Sequence, residues 1–213
     1  MEERKKYPKT PHVHWSTGTS DDKTLSDDDH FKKMNGVVVT LKMDGENTSI
    51  YPDGMHARSL ESANHPSQSW VKQLAGNIGY QIKEGYRLCG ENLYAKHTIE
   101  YNDLPSYFMC FSVWKGEHAL SWYESTIIAK ELKIEVVPVI YNDYYNKEAI
   151  IKAFEPYKDT HEGYVIRNDK GFEYKDFDKN VAKFVNPTFR QTLKESTVHW
   201  ATAPVVPNKL KSE

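Results

Sequence analysis

Val38-Val39-Thr40-Leu41-Lys42-Met43-Asp44-Gly45-Glu46-Asn47 is the stretch on which the reading of this chain turns. An apolar run ends on one lysine, and an Asp-Gly pair follows at once. The run predicts a buried strand. Asp44-Gly45 predicts the turn that ends it, because glycine tolerates positive φ and aspartate bonds its own backbone. Lys42 then stands at a strand end, partly desolvated. Burial lowers a lysine's pKa, and a neutral amine is a nucleophile. Taken alone, the stretch reads more simply as a surface lysine before a hairpin turn, and the rest of the chain has to separate the two.

Immediately downstream, Asn47–Tyr51 and Met55–Leu60 read as two more strands joined through Pro52-Asp53-Gly54. Arg58 falls in the second of them, where a meander could turn it toward Lys42; a surface position is the plainer alternative. Apolar residues at Trp70, Val71, Leu74, Ile78 and Ile82 have helical spacing, so Gln68–Ile82 predicts an amphipathic helix, weakened by Gly76 and Gly79. Tyr86–Tyr94 reads as a strand interrupted by Gly90-Glu91, the glycine implying close approach of a backbone or a ligand. Ser106–Trp114 is nearly all apolar and predicts a central strand. Phe108 and Phe111 lie on opposite faces of it, so one alone can look into a cleft. Ser121 and Glu124 form a capping box for a helix reaching Leu132. Ile134–Tyr141 predicts a strand that Pro138 confines to an edge. Asn146 caps a short helix, His161–Arg167 and Val181–Asn186 give two last strands, and Thr188–Ser196 a closing helix.

Upstream, residues 1–35 are polar. Arg4-Lys5-Lys6-Tyr7-Pro8-Lys9-Thr10-Pro11-His12 holds two prolines and cannot be helical. It reads as an arm packed along the domain, or as a phosphate grip with Tyr7, His12 and Trp15 near bases. Asp21-Asp22 and Asp27-Asp28-Asp29 read as solvated loops or helix caps, or as metal ligands. The domain is expected over 36–196, with a loose tail at 197–213.

Composition narrows the class. The chain has 213 residues, 38% hydrophobic and 13% aromatic, enough for one substantial domain. A net charge of -2 excludes a global attraction to polyanions, so contact with nucleic acid must be local. Cys89 and Cys110 sit in apolar segments and read as buried thiols in a reducing compartment. No leader-like or membrane-spanning apolar run is evident, which predicts a soluble, cytoplasmic protein with no membrane partner.

Five charged residues lie in or beside apolar strands: Lys42, Arg58, Glu91, Glu162 and Lys183. Buried charges cost several kcal/mol unless paired or liganded, so the five together predict one polar cleft. Cations there suit phosphates, and carboxylates suit a divalent metal or ribose hydroxyls. Neither a P-loop nor Gly-x-Gly-x-x-Gly is present. A glycosidase with Glu91 and Glu162 as acid and base would leave both lysines unexplained.

The order Lys42-x-Asp44-Gly45, Arg58, Gly90-Glu91-Asn92, an aromatic strand, Glu162-Gly163-Tyr164-Val165-Ile166 and Lys183-Phe184-Val185 resembles the covalent nucleotidyltransferase superfamily of polynucleotide ligases and capping enzymes, nearest to small ATP-dependent RNA ligases. The opening Lys6–His12 shares the likeness, which covers residues 6–190. The resemblance implies an α+β fold with antiparallel sheets flanking a nucleotide cleft, unrelated to ATP-grasp, and helices outside. It implies that Lys42 attacks ATP and carries AMP covalently, and that Arg58 contacts the adenylate phosphate or the incoming end. Glu91 would hold the ribose and Phe111 stack on adenine, Phe108 being the rival. Thr40 would touch the adenine edge; Leu41 and Asn47 complete the nucleotide site. Glu162 would bind Mg²⁺ or Mn²⁺, with Glu91 a second carboxylate, and Lys183 would meet the α-phosphate.

The implied substrate is RNA with 3′-hydroxyl and 5′-phosphate ends, taken by a monomer. A compact DNA or mixed-substrate ligase, or a non-catalytic nucleotide- or nucleic-acid-binding protein, are the rival readings. The second lysine that many RNA ligases carry near the last motif is here Val185, which leaves Lys175 or Lys179 as substitutes. No OB-fold domain is expected after residue 190, leaving a role for a partner protein in gripping the substrate.

Overall fold

The computed structural model describes residues 3–16, 23–60, 65–189 and 204–212. In chain order the elements are α1 (Asp29–Lys32), β1 (Val37–Lys42), β2 (Glu46–Tyr51), β3 (Gly54–Ala57), α2 (Ser69–Ile78), β4 (Tyr86–Asn92), β5 (Phe108–Lys115) and β6 (His118–Ala119). There follow α3 (Trp122–Glu131), β7 (Glu135–Val136), β8 (Val139–Asp143), α4 (Lys147–Phe154), β9 (Gly163–Asn168), β10 (Phe172–Glu173), α5 (Phe177–Asn180) and β11 (Val181–Val185). The fold is α+β. One antiparallel sheet has the order β11-β9-β1-β8; the other runs β10-β6-β5-β4-β2-β3, with β7 added in parallel to β5.

Strand β1 is a central strand because its apolar residues are buried from Val37 to Leu41 and only Lys42 is part-exposed. Alternation sends Val37, Val39 and Leu41 into a core with Phe31, Ile150, Phe154, Tyr164 and Ile166. Val38, Thr40 and Lys42 are left on the other face. A second core joins Ile50, Leu88, Phe108, Cys110 and Val113 of the larger sheet to Val71, Ala75 and Ile78 of α2 and Ala129 of α3. The capping box of α3 forms as read: the Ser121 hydroxyl accepts from Glu124 N at 3.2 Å and the Glu124 carboxylate from Ser121 N at 3.0 Å. Asn146 caps α4.

Asp44-Gly45 is not a hairpin turn. β1 and β2 belong to different sheets, and the pair is where the chain crosses between them. Gly45 is needed for closeness rather than for positive φ: a Cβ would stand 2.4 Å from the Asn92 carbonyl oxygen. Asp44 bonds a distant loop instead of its own backbone, its Oδ2 accepting from Thr98 N and Ile99 N, each at 2.7 Å. Pro138 likewise marks a crossing. It splits the expected strand into β7 in one sheet and β8 at the edge of the other, and its carbonyl accepts from Leu41 N at 2.8 Å. The helix expected over Gln68–Ile82 is α2, passing into a 3₁₀ turn at Gly79.

The N-terminal segment is packed along the domain over residues 3–16. Lys183 N donates to the Pro11 carbonyl and Val13 N to the Lys183 carbonyl, both at 2.9 Å, which lays the arm beside β11. Residues 204–212, expected to be loose, are docked. Asn208 is 2% exposed; its Nδ2 donates to the Leu93 carbonyl at 2.8 Å and its Oδ1 accepts from Tyr101 N at 2.9 Å. Asp21-Asp22 and most of the expected closing helix lie outside the described residues. No helix among the described residues is long and apolar enough to cross a membrane. Cys89 and Cys110 are both buried thiols, as read.

Candidate active site

Lys42 closes β1 opposite Gly163 of β9, so Glu162 comes up beside it. Gly163 is needed on the other side of β9, where a Cβ would meet the Phe184 carbonyl oxygen of β11 at 1.9 Å. Lys42 Nζ donates to Glu162 Oε2, and the lysine side chain is 25% exposed. From the other sheet Glu91 faces the same point, its Oε1 accepting from Gly45 N at 3.2 Å. Gly90 gives way to protein rather than to a ligand: the Phe108 ring and the Met109 carbonyl fill the space beside it.

Charge decides how this cluster titrates. Burial is the largest influence on Lys42 and would lower its pKa. Glu162, Glu91 and Asp44 outweigh it and hold the amine above the ordinary lysine value, the reverse of the expected depression. Burial pushes Glu91 up to about 8; Lys42 opposes the shift, while Glu162 and Asp44 add to it. The protein without nucleotide therefore keeps Lys42 charged and Glu91 largely protonated at neutral pH.

A cleft of about 340 Å³ opens above this cluster, between the two sheets, within the range of small-molecule sites. Of the residues singled out from sequence, Thr40, Lys42, Asn47, Arg58, Glu91, Phe111 and Lys183 line it. Leu41 borders it, but its side chain belongs to the core of Val37 and Val39. Glu162 stands behind Lys42 rather than on the wall. Thr40 Oγ1 and Asn47 Oδ1 are buried and have no hydrogen-bond partner among the described residues. Phe108 is fully buried in the α2-side core, which leaves Phe111 as the aromatic of β5 facing the cleft. Arg58 lies just past the end of β3, exposed. Lys183 pairs with Val165 of β9 across the same face as Lys42.

The arm residues read as a possible grip take other places, and one wall residue, Arg167, escaped sequence reading. Tyr7 is not near solvent: it is 7% exposed and packs edge-on against Phe111 at 5.1 Å and Phe177 at 5.2 Å. His12 is fully buried, its Nδ1 2.8 Å from Ser16 Oγ, and Trp15 Nε1 donates to Tyr164 Oη at 3.0 Å. The arm is therefore wall and core, not a loose grip. Arg4 is paired with Asp53 and Lys5 with Glu117. Arg167 also lines the cleft; a charge in an apolar strand, the signal that picks out Lys42, was present there too. Lys175 and Lys179 do not line the cleft, and Lys179 is paired with Asp176 at 2.7 Å, so Arg58, Lys183 and Arg167 are its cations besides Lys42. Asp28 bonds Lys32 and Tyr145, and no group of three metal-ligating side chains occurs among the described residues.

A sequence profile described as RNA ligase matches residues 35–185. No curated protein matches the chain. Among solved structures, an archaeal ATP-dependent RNA ligase superposes with a TM-score of 0.58 at 17% identity, over 86% of this chain and 48% of that one. An RNA ligase of Naegleria gruberi with PPi gives 0.53 at 19% identity, over 78% and 53%. A putative ATP-dependent DNA ligase from Aquifex aeolicus gives 0.53 at 17% identity, over 85% and 50%. The chain thus spans about half the length of the solved structures it matches, and at these identities the likeness is one of fold.

Proposed function

The chain belongs to the RNA ligase family, and from that premise we propose that it joins RNA 3′-hydroxyl and 5′-phosphate ends with ATP, through a lysyl-AMP intermediate on Lys42. The observation that carries the reading is Lys42 itself: a lysine on the wall of the cleft between the sheets, hydrogen-bonded to Glu162 and facing Glu91. Its nitrogen attacks the α-phosphate, the P–N bond forms as the bond to pyrophosphate breaks, and Glu162 is the nearest acceptor for the proton Lys42 sheds. The AMP then passes to the 5′-phosphate of one RNA end, and the 3′-hydroxyl of the other displaces it.

The base enters beside Phe111 and stacks on it, with Thr40 Oγ1 and Asn47 Oδ1 offering unpartnered polar atoms to the nucleoside and Leu41 bordering it. Glu91 takes the ribose. Lys183 meets the α-phosphate and offsets its charge in the transition state, while exposed Arg58 receives the phosphates or the incoming end. The donor set suits a divalent cation: two carboxylates with no third ligating side chain match an ion that draws its other oxygens from phosphates and water. Mg²⁺ or Mn²⁺ held by Glu162, with Glu91 second, would neutralise phosphate charge.

The rival readings are outcomes of one assay, sealing of a nicked duplex with RNA, then DNA, on the 3′-hydroxyl side. Sealing confined to RNA 3′-hydroxyl strands is expected. Equal sealing of DNA would place the protein with compact DNA or mixed-substrate ligases, and no sealing with nucleotide still bound would make it a binding protein.

A further inference from the structure

Strand β5 carries one residue more than β4 allows. Cys89 pairs with Ser112 and Gly90 with Cys110, so Phe111 has no partner on β4 and forms a bulge. Bulges re-aim side chains and increase local twist. Here the bulge lets Phe111 and Trp114 both pack against Tyr7, Phe111 also facing the cleft, while Phe108, Cys110 and Val113 all face α2 and α3. The cost is a backbone carbonyl released from the ladder in a buried place, and such groups are satisfied by some partner.

Arg167 supplies that partner. Its Nη1 donates to the Phe111 carbonyl. The arginine is 6% exposed, comes from β9 in the opposite sheet, and has no carboxylate partner among the described residues. Its guanidinium lies 6.0 Å from the Phe111 ring and 5.3 Å from the Trp122 ring, and it interacts electrostatically with Tyr7. A buried guanidinium without a counter-ion is expensive, and neither a salt bridge nor a solvent-facing role accounts for it. We propose that Arg167 is a positioning residue for the base platform: by holding the Phe111 bulge across the gap between the sheets, it fixes the ring against which the nucleobase stacks, and so sets affinity for the base without touching the phosphates.

The proposal rests on Phe111 as the base platform, and the experiment keeps the two apart. Equilibrium binding of ATP and of inorganic tripolyphosphate is measured for the full chain, Phe111→Ala, Arg167→Met, Arg167→Lys and the Phe111→Ala/Arg167→Met double variant. Phe111→Ala should weaken ATP about tenfold or more and leave tripolyphosphate unchanged. Arg167→Met should do the same, Arg167→Lys should recover part of the loss through its one donor, and the double variant should be no weaker than Phe111→Ala alone. An unchanged ATP affinity in Phe111→Ala would refute the platform and the proposal with it. With the platform upheld, Arg167 is acquitted of positioning it if Arg167→Met binds ATP normally, if it loses tripolyphosphate as much as ATP, or if its effect multiplies that of Phe111→Ala in full. Should Arg167→Met fail to fold, the Lys variant carries the same comparison: weaker for ATP, unchanged for tripolyphosphate, non-additive with Phe111→Ala.

Discussion

Lys42, Glu162, Glu91 and Asp44 put one cation among three carboxylates, and Glu91, raised first by burial and further by Glu162 and Asp44, is the one that holds a proton. Its carboxyl titrates near 8 in the folded protein against 4.5 unfolded. The folded state therefore binds the extra proton, and its contribution to stability is full below about pH 4.5 and lost as pH rises through about 8. Glu91→Gln removes that dependence. Thermal unfolding of the nucleotide-free protein should show wild type losing ground to Glu91→Gln between pH 5 and pH 9. The histidines held low by burial, His30, His56 and His161, cancel in the comparison because both proteins keep them. A gap between the two proteins that stays constant across this range would mean Glu91 ionises normally. The same imbalance bears on Lys42: its replacement leaves carboxylates facing one another, so Lys42→Ala costs on the order of 2 kcal/mol rather than nothing, less than a fully buried pair because the lysine is part-exposed.

At the scale of elements, the turn after β1 is held from the far side of the chain. Asp44 caps the loop through Thr98 N and Ile99 N, its own N donates to Tyr101 Oη at 3.0 Å, and Tyr101 N donates in turn to Asn208 Oδ1. The segment 204–212 thus straps the loop that abuts the crossing after Lys42, with Lys96 N on the Val206 carbonyl at 2.8 Å and Leu104 N on the Lys209 carbonyl at 3.0 Å. Asn208→Ala would strand the Leu93 carbonyl and the Tyr101 amide. It should cost about 2–3 kcal/mol, or about 4–12 °C in Tm for a chain of this size. Thermal unfolding checks it, and an unchanged Tm would show that the strap carries no load. This layer explains what was legible in the sequence. Charges in apolar strands and the residues of caps announce themselves locally, so Lys42, Glu91, Lys183 and the α3 box could be read directly. Asp44 looked like a turn residue and Pro138 like an edge residue because both signals are local, whereas their partners, Thr98 and Leu41, are set by tertiary contact. Polarity hid the docking of 204–212, and the bulge at Phe111 leaves no mark in composition.

For the whole molecule, the two sheets come together where Gly45 lies against Asn92, and Tyr7 of the arm joins Phe111 in the wall of the cleft between them, backed by Trp114 and Phe177. The arm is therefore part of this cleft, and Thr10 lines it as well. Everything proposed for this cleft depends on Lys42 becoming bonded to AMP. The direct measurement is incubation of wild type and Lys42→Ala with α-labelled ATP and Mg²⁺ or Mn²⁺, then denaturing electrophoresis, with thermal unfolding to show that the variant is folded. Label should remain on the wild type after denaturation, be released by acid as a phosphoramidate is, and be absent from Lys42→Ala. Label persisting on folded Lys42→Ala, or no label on the wild type, would contradict the account.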